Sequence, residues 1–134
     1  MKIITIIGMI ISLALQSVGS PYVYGATGPE QFDCSGFTYY CYSEGAGIEL
    51  PRTAYEQGYC DDYLKIETID ELERGDLMFF NTNNDRDLSD HAGIYLGNNK
   101  FIHCSSASKG VVISSLKDSW YAGAFSWGRR ILEN

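Results

Sequence analysis

The hydrophobic period of this chain changes once, near Gly75, and the change restricts the fold to few architectures. Before it, apolar residues recur at helical spacing; after it, they come in short runs of strand length. The runs at residues 77–80, 91–96, 101–104, 111–113 and roughly 127–132 read as strands, with a polar loop over 81–90 between the first two. Helices that lead and antiparallel strands that follow make the class α+β. With 134 residues, no internal repeat and no low-complexity segment, the whole of 1–134 reads as one domain, long enough to bury a core without covalent staples.

The helical half is punctuated by local signals. Thr5, Ser12 and Gln16 form a narrow polar stripe, while Ile7, Ile11, Ala14, Leu15 and Val18 fall on the opposite face. The same segment resembles a signal peptide, with Lys2 ahead of an apolar stretch and Ser17-Val18-Gly19 as a cleavage-like site. The stripe favours a domain helix. The stretch is too short and too interrupted for a membrane span, so no stable membrane insertion is expected. Gly19-Ser20-Pro21 should end this helix, and residues 22–28 read as an extended loop. Asp33 then offers an N-cap carboxylate, with Phe37, Tyr40 and Cys41 following at helical spacing until Gly45 stops the run. Thr53-Ala54-Tyr55-Glu56 fits a capping box, and residues 70–73 fit one further turn.

Chemistry concentrates at few positions. Cys34 falls in the first turn after Asp33, where unpaired N–H groups and the helix dipole favour an anion; a thiol attacks as its thiolate. Cys41 lies on the inward side with Phe37 and reads as core. Only two histidines occur, His91 and His103, on successive strands joined through Gly97-Asn98-Asn99. A hairpin loop of three or five residues would set them directly opposite each other on one face, whereas a two-residue loop would send them to opposite faces. The functional reading therefore expects the odd loop. The four cysteines show no CxxC pair and no spacing of a structural zinc site, so neither a metal nor another cofactor is suggested. A net charge of −7 without any basic run argues against nucleic acid.

Several ordered motifs carry a resemblance. Pro21-Tyr22-Val23-Tyr24-Gly25, Phe32-Asp33-Cys34-Ser35-Gly36-Phe37, Leu50-Pro51-Arg52-Thr53, Arg74-Gly75-Asp76-Leu77, His91-Ala92-Gly93-Ile94-Tyr95-Leu96-Gly97 and Phe101-Ile102-His103 follow one another along the chain. Together they resemble the NlpC-type bacterial cell-wall peptidases, papain-like cysteine endopeptidases, over essentially the whole chain. The resemblance implies a papain-like fold with N-terminal helices packed on a central antiparallel sheet. It implies a catalytic set of Cys34, His91 and His103, with Tyr22 near the oxyanion and Asp33 and Ser35 holding the substrate's amino end.

The implied substrate is a peptidoglycan stem peptide cut between the D-glutamyl γ-carboxyl and the next diamino acid. That would place the protein outside the cytoplasmic membrane, in a bacterial wall or delivered there by phage or conjugation machinery, as one domain of a larger wall protein. Two departures stand out: Ala26 follows Gly25 where a second glycine is usual, and Cys104 follows His103 where small residues are usual. Strand alternation should turn Cys104 away from the site. A related amidase or acyl transferase would reuse Cys34 and His91, and a non-catalytic wall-binding domain would reuse only the groove.

Overall fold

The computed structural model describes residues 2–117 and 119–133, with the side chain of Ser119 outside that description; Met1, Asp118 and Asn134 of the expected 1–134 unit lie outside the described residues. Helix α1 (Ile3–Gln16) is followed by α2 (Cys34–Ala46), the short α3 (Ala54–Gly58), strand β1 (Leu64–Ile66) and a 3-10 turn (Ile69–Glu71). Then come β2 (Leu77–Phe80), β3 (His91–Gly97), β4 (Lys100–Ser105), β5 (Gly110–Ser115), α4 (Ser119–Ala124) and β6 (Phe125–Arg130). The strands form one sheet in the order β1-β6-β2-β3-β4-β5, and every neighbouring pair is antiparallel.

The sheet is covered on both faces, which is why β2, Leu-Met-Phe-Phe, is apolar at every position rather than alternating. Leu77 and Phe79 point into a core shared with Phe37, Cys41 and Tyr42 of α2 and with Ile10, Ile11 and Ala14 of α1. Met78 and Phe80 point the other way, into a second cluster with Tyr95, Phe101 and Leu116, closed by Tyr121, Ala124 and Phe125 at the α4–β6 junction. That α4 and the three-residue β1 exist was not expected from the sequence.

Helix α1 is a packed element of this domain, seated on α2. The face that touches α2 is centred on Ile10, Ile11 and Ala14, so Leu15 and Val18, expected to be inward, are 45% and 49% exposed. Gly45 does not stop α2. It lies inside the helix, where a Cβ would come within 2.9 Å of the Ile10 Cα, so it sets how closely the two helices cross. The stop is Gly47, in the left-handed conformation at φ 67°.

The hairpin between the histidines departs from the expected loop. Its turn is the two residues Asn98 and Asn99, both left-handed at φ 53° and 61°, the signature of a type I′ turn. By itself such a turn would place the histidines on opposite faces. A register shift between Tyr95 and Gly97 inserts one extra residue and restores the parity. The paired residues Ile94↔Ile102 set His103 against Gly93, so His91 lies one diagonal step away on the same face.

Candidate active site

Cys34 is the first residue of α2 because Asp33 caps that helix, accepting the Gly36 N–H at 2.7 Å. The second carboxylate oxygen of Asp33 accepts the Gly25 N–H at 2.9 Å and so ties the 22–28 loop to the helix start. Arg52 closes the arrangement. Its two terminal nitrogens donate to both Asp33 oxygens, at 3.2 and 2.8 Å, and one of them also donates to Ser35 Oγ at 3.0 Å. Burial alone would raise the Asp33 carboxyl; the bonds from Arg52, Gly36 and Gly25 outweigh it and hold the group below the ordinary carboxylate value. Behind this cluster, buried Gln57 of α3 bonds the carbonyls of Ser35 and Pro51 and accepts the Thr38 hydroxyl, locking α3 onto the first turn of α2.

The Cys34 sulfur accepts the backbone N–H of Ala92, the residue after His91, so the thiol rests against the start of β3. Its environment differs from the sequence expectation. Burial pushes the thiol up; the N–H groups of Ala92 and Ser35 oppose this, the carboxylates of Asp33 and Asp90 add to it, and the sum is a raised pKa. The helix start does not hold a resting thiolate, because burial outweighs the N–H groups offered to the sulfur, and Asp33, which takes the Gly36 N–H, adds a negative charge of its own.

His91 and His103 meet directly. His91 Nε2 lies 2.7 Å from His103 Nδ1, with the rings at 77° to each other, and His103 Nε2 lies 2.8 Å from Ser114 Oγ on β5. Gly93 makes this contact feasible: a Cβ there would stand 3.2 Å from the His103 Cβ and 3.1 Å from the Phe101 ring. Tyr121 of α4 packs edge-on against the buried His103 ring at 5.3 Å. Burial lowers His91 to about 4, opposed by the Asp90 carboxylate, and lowers His103 to about 3, helped by the neighbouring His91 charge. Both rings are therefore neutral at pH 7.

A cleft of about 490 Å³ opens beside the thiol, lined by Tyr22, Cys34, Asp33, Ser35, Arg52 and Asp90 among others. His91 does not line it; His91 borders a separate small cavity of about 90 Å³, with Thr82 and Tyr121. Tyr22 is held by its N–H to the Lys109 carbonyl and by the Phe32 N–H to the Pro21 carbonyl, and burial, then the Cys34 and Asp33 charges, raise its hydroxyl pKa. All four cysteines are free thiols, so Cys34 is not locked in a disulfide. Cys104 faces away from His103, into the α2 core, where its sulfur donates to the Phe32 carbonyl at 3.2 Å.

Cys34, Tyr22, Asp33 and Ser35 thus share one cleft, while His91 and His103 bond each other on the strands next to it. The sequence reading missed Arg52, Gln57, Ser114 and Tyr121 as parts of the site. Arg52 stood inside a recognisable motif. Nothing in the sequence marked Ser114, whose role depends on the register of β4 against β5, with His103 paired to Val112.

The chain is 39% identical over 119 residues to the murein DD-endopeptidase MepH of Escherichia coli K12, covering 88% of this chain and 43% of that protein. It is 41% identical over 115 residues to a probable endopeptidase, an NlpC homolog, of Haemophilus influenzae, covering 86% of this chain and 57% of the relative. The chain therefore spans about half the length of the curated relatives it matches. Among solved structures, an NLP/P60-family protein similar to a lipoprotein, from Staphylococcus aureus, superposes with a TM-score of 0.79 at 33% identity, covering 96% of this chain and 42% of that one. The papain-like α+β fold expected from the motifs is the fold of these neighbours. Residues 19–130, from the end of α1 to the end of β6, match the NlpC/P60 family, and the chain belongs to it.

Proposed function

We propose that this chain is a cysteine endopeptidase that hydrolyses peptidoglycan stem peptides through an acyl-enzyme on Cys34. One observation carries the reading: a free thiol at a helix start, open to a 490 Å³ cleft and resting against the strand that begins with His91, whose imidazole bonds that of His103 on the next strand. The names of its relatives, murein endopeptidases, support the substrate class.

In this mechanism His91 Nε2 is engaged by His103, which leaves Nδ1 for the thiol. Because thiol and imidazole are both neutral at rest, the proton moves from Cys34 to His91 as sulfur attacks the carbonyl, and His91 then protonates the leaving amine. His103 fixes the tautomer and orientation of His91. The Cys34 N–H and the Tyr22 hydroxyl stabilise the oxyanion, a contribution of about 3–4 kcal/mol in comparable sites. Asp33 and Ser35, presented to the cleft with Arg52, hold the ionised amino end of the substrate. Water, activated by His91, releases the product.

For the scissile bond, the motif resemblance favours the D-glutamyl γ–diamino acid link. The name murein DD-endopeptidase, carried by two Escherichia coli relatives, favours instead a bond between two D-centres. Digestion of a defined cross-linked muropeptide, with products identified by mass spectrometry, decides between them. Release of diamino-acid-terminated fragments supports the first bond, and separation of the two stems supports the second. An unchanged substrate contradicts the hydrolase reading. The substrate also implies action outside the cytoplasmic membrane; among the described residues no helix is long and apolar enough to cross one.

A further inference from the structure

We infer that Ser114 is a positioning residue that sets the polarity of a three-member hydrogen-bond chain, Ser114–His103–His91, ending at the proposed base. The inference rests on the proposed roles of Cys34 and His91, and it follows from counting protons. A neutral imidazole has one N–H donor and one bare acceptor nitrogen. For His91 to take a proton from the thiol, its Nδ1 must be bare, so its Nε2 carries hydrogen and donates to His103 Nδ1 across the 2.7 Å contact. His103 Nδ1 is then the acceptor and Nε2 the donor, and among the described residues the partner of Nε2 is Ser114 Oγ at 2.8 Å. Ser114 must accept.

The same polarity survives the chemical step. Once His91 has taken the thiol proton it carries hydrogen on both nitrogens and still donates through Nε2, while His103 keeps its own proton on Nε2. Only the Nδ1 proton of His91 moves, so nothing behind it has to reorganise as sulfur attacks. The opposite polarity, with Ser114 donating, would put hydrogen on His103 Nδ1 and leave His91 with its proton on Nδ1, facing the thiol and unable to act as base. His103 is fully buried, so its Nε2–H has no water to fall back on. A hydroxyl suits the position because it accepts from the ring and remains free to direct its own hydrogen elsewhere.

The test uses Ser114→Ala and Ser114→Thr beside the native chain, read by muropeptide kinetics and by the side-chain nitrogen NMR of the two histidines. The native protein is expected to show both rings protonated on Nε2 and bare on Nδ1. In Ser114→Ala the His103 signal should shift towards the Nδ1–H form, and kcat should fall about tenfold with KM within twofold, as expected for one lost buried hydrogen bond. Ser114→Thr should restore both. Native His103 protonated on Nδ1 overturns the inference, as does an alanine variant with native tautomers and native kcat. If no form of the chain cleaves muropeptide, the hydrolase reading fails, and the tautomers of the native and alanine proteins still decide the role of Ser114.

Discussion

Acidifying the protein should destabilise it through two histidines before the carboxyl of Asp33 takes up its proton. His91 and His103 have an ordinary pKa of 6.5 and are lowered in the fold to about 4 and about 3, in both cases chiefly by burial. The unfolded chain therefore binds more protons than the folded one at every pH between those values and 6.5, so stability rises with pH across that window, is complete above it and is lost as pH falls. Between about pH 7.5 and pH 5, each ring in the unfolded chain takes up nearly one proton that the folded ring refuses, which costs about 2 kcal/mol per histidine and about 4 kcal/mol for the pair.

The figure depends only on both folded values lying below 5. It is a large share of the roughly 5–15 kcal/mol that holds a domain together. Asp33, held low, loses its contribution only further down the scale; Asp76, raised by burial against the pull of Arg130, works weakly in the opposite sense. Urea unfolding followed by tryptophan fluorescence at the two pH values measures the difference, and His91→Asn should remove about half of it. A native protein whose unfolding free energy changes by less than about 1 kcal/mol over this interval would refute the argument, because the pair would then be hydrated or already charged in the fold.

Two other outcomes follow from the same geometry. Iodoacetamide should modify the half-buried Cys34 and Cys60 but not the buried Cys41 and Cys104, as read by peptide mass spectrometry. The Cys34 rate should keep climbing beyond pH 9, because its thiol is raised above that ordinary value; a plateau near neutrality would mean a resident thiolate and contradict the neutral pair. Gly36→Ala would drive a Cβ to 2.0 Å from the Ala26 carbonyl oxygen, which already accepts the Asp33 N–H, so the loop and the helix start must separate. A loss of about 3 kcal/mol in thermal or urea unfolding is expected, and a variant of native stability would show that the 22–28 loop is not clamped there.

Local signals wrote themselves plainly in the sequence. Asp33 and Thr53 cap the helices they were expected to cap, and the Thr53–Glu56 box forms in both directions. The meeting of His91 with His103 was also legible, but for the wrong reason. Parity came from a bulge after Tyr95 rather than from an odd loop, and a single extra residue opposite Phe101 and Lys100 has no marker in the amino-acid pattern. Leu15 and Val18 were misplaced because an almost uniformly apolar helix does not announce which side its neighbour occupies.

Strand β1 was too short to show a period, and so was the six-residue α4, Ser-Trp-Tyr-Ala-Gly-Ala. Arg52 and Ser114 are long-range partners, meeting Asp33 and His103 only once the chain has folded. The lowered thiol pKa expected at the helix start failed for a related reason. Burial and the neighbouring carboxylates are tertiary effects, and they outweigh the local dipole.

The central claim is a covalent intermediate on Cys34. Intact-protein mass spectrometry after rapid acid quench of the native chain with a muropeptide, beside Cys34→Ala, tests it most directly. The account predicts a transient adduct with the mass of the acyl fragment, mapped to Cys34, and its absence together with all product in the alanine variant. Product formed by Cys34→Ala at a rate near the native one, or an adduct mapped to another residue, would contradict it.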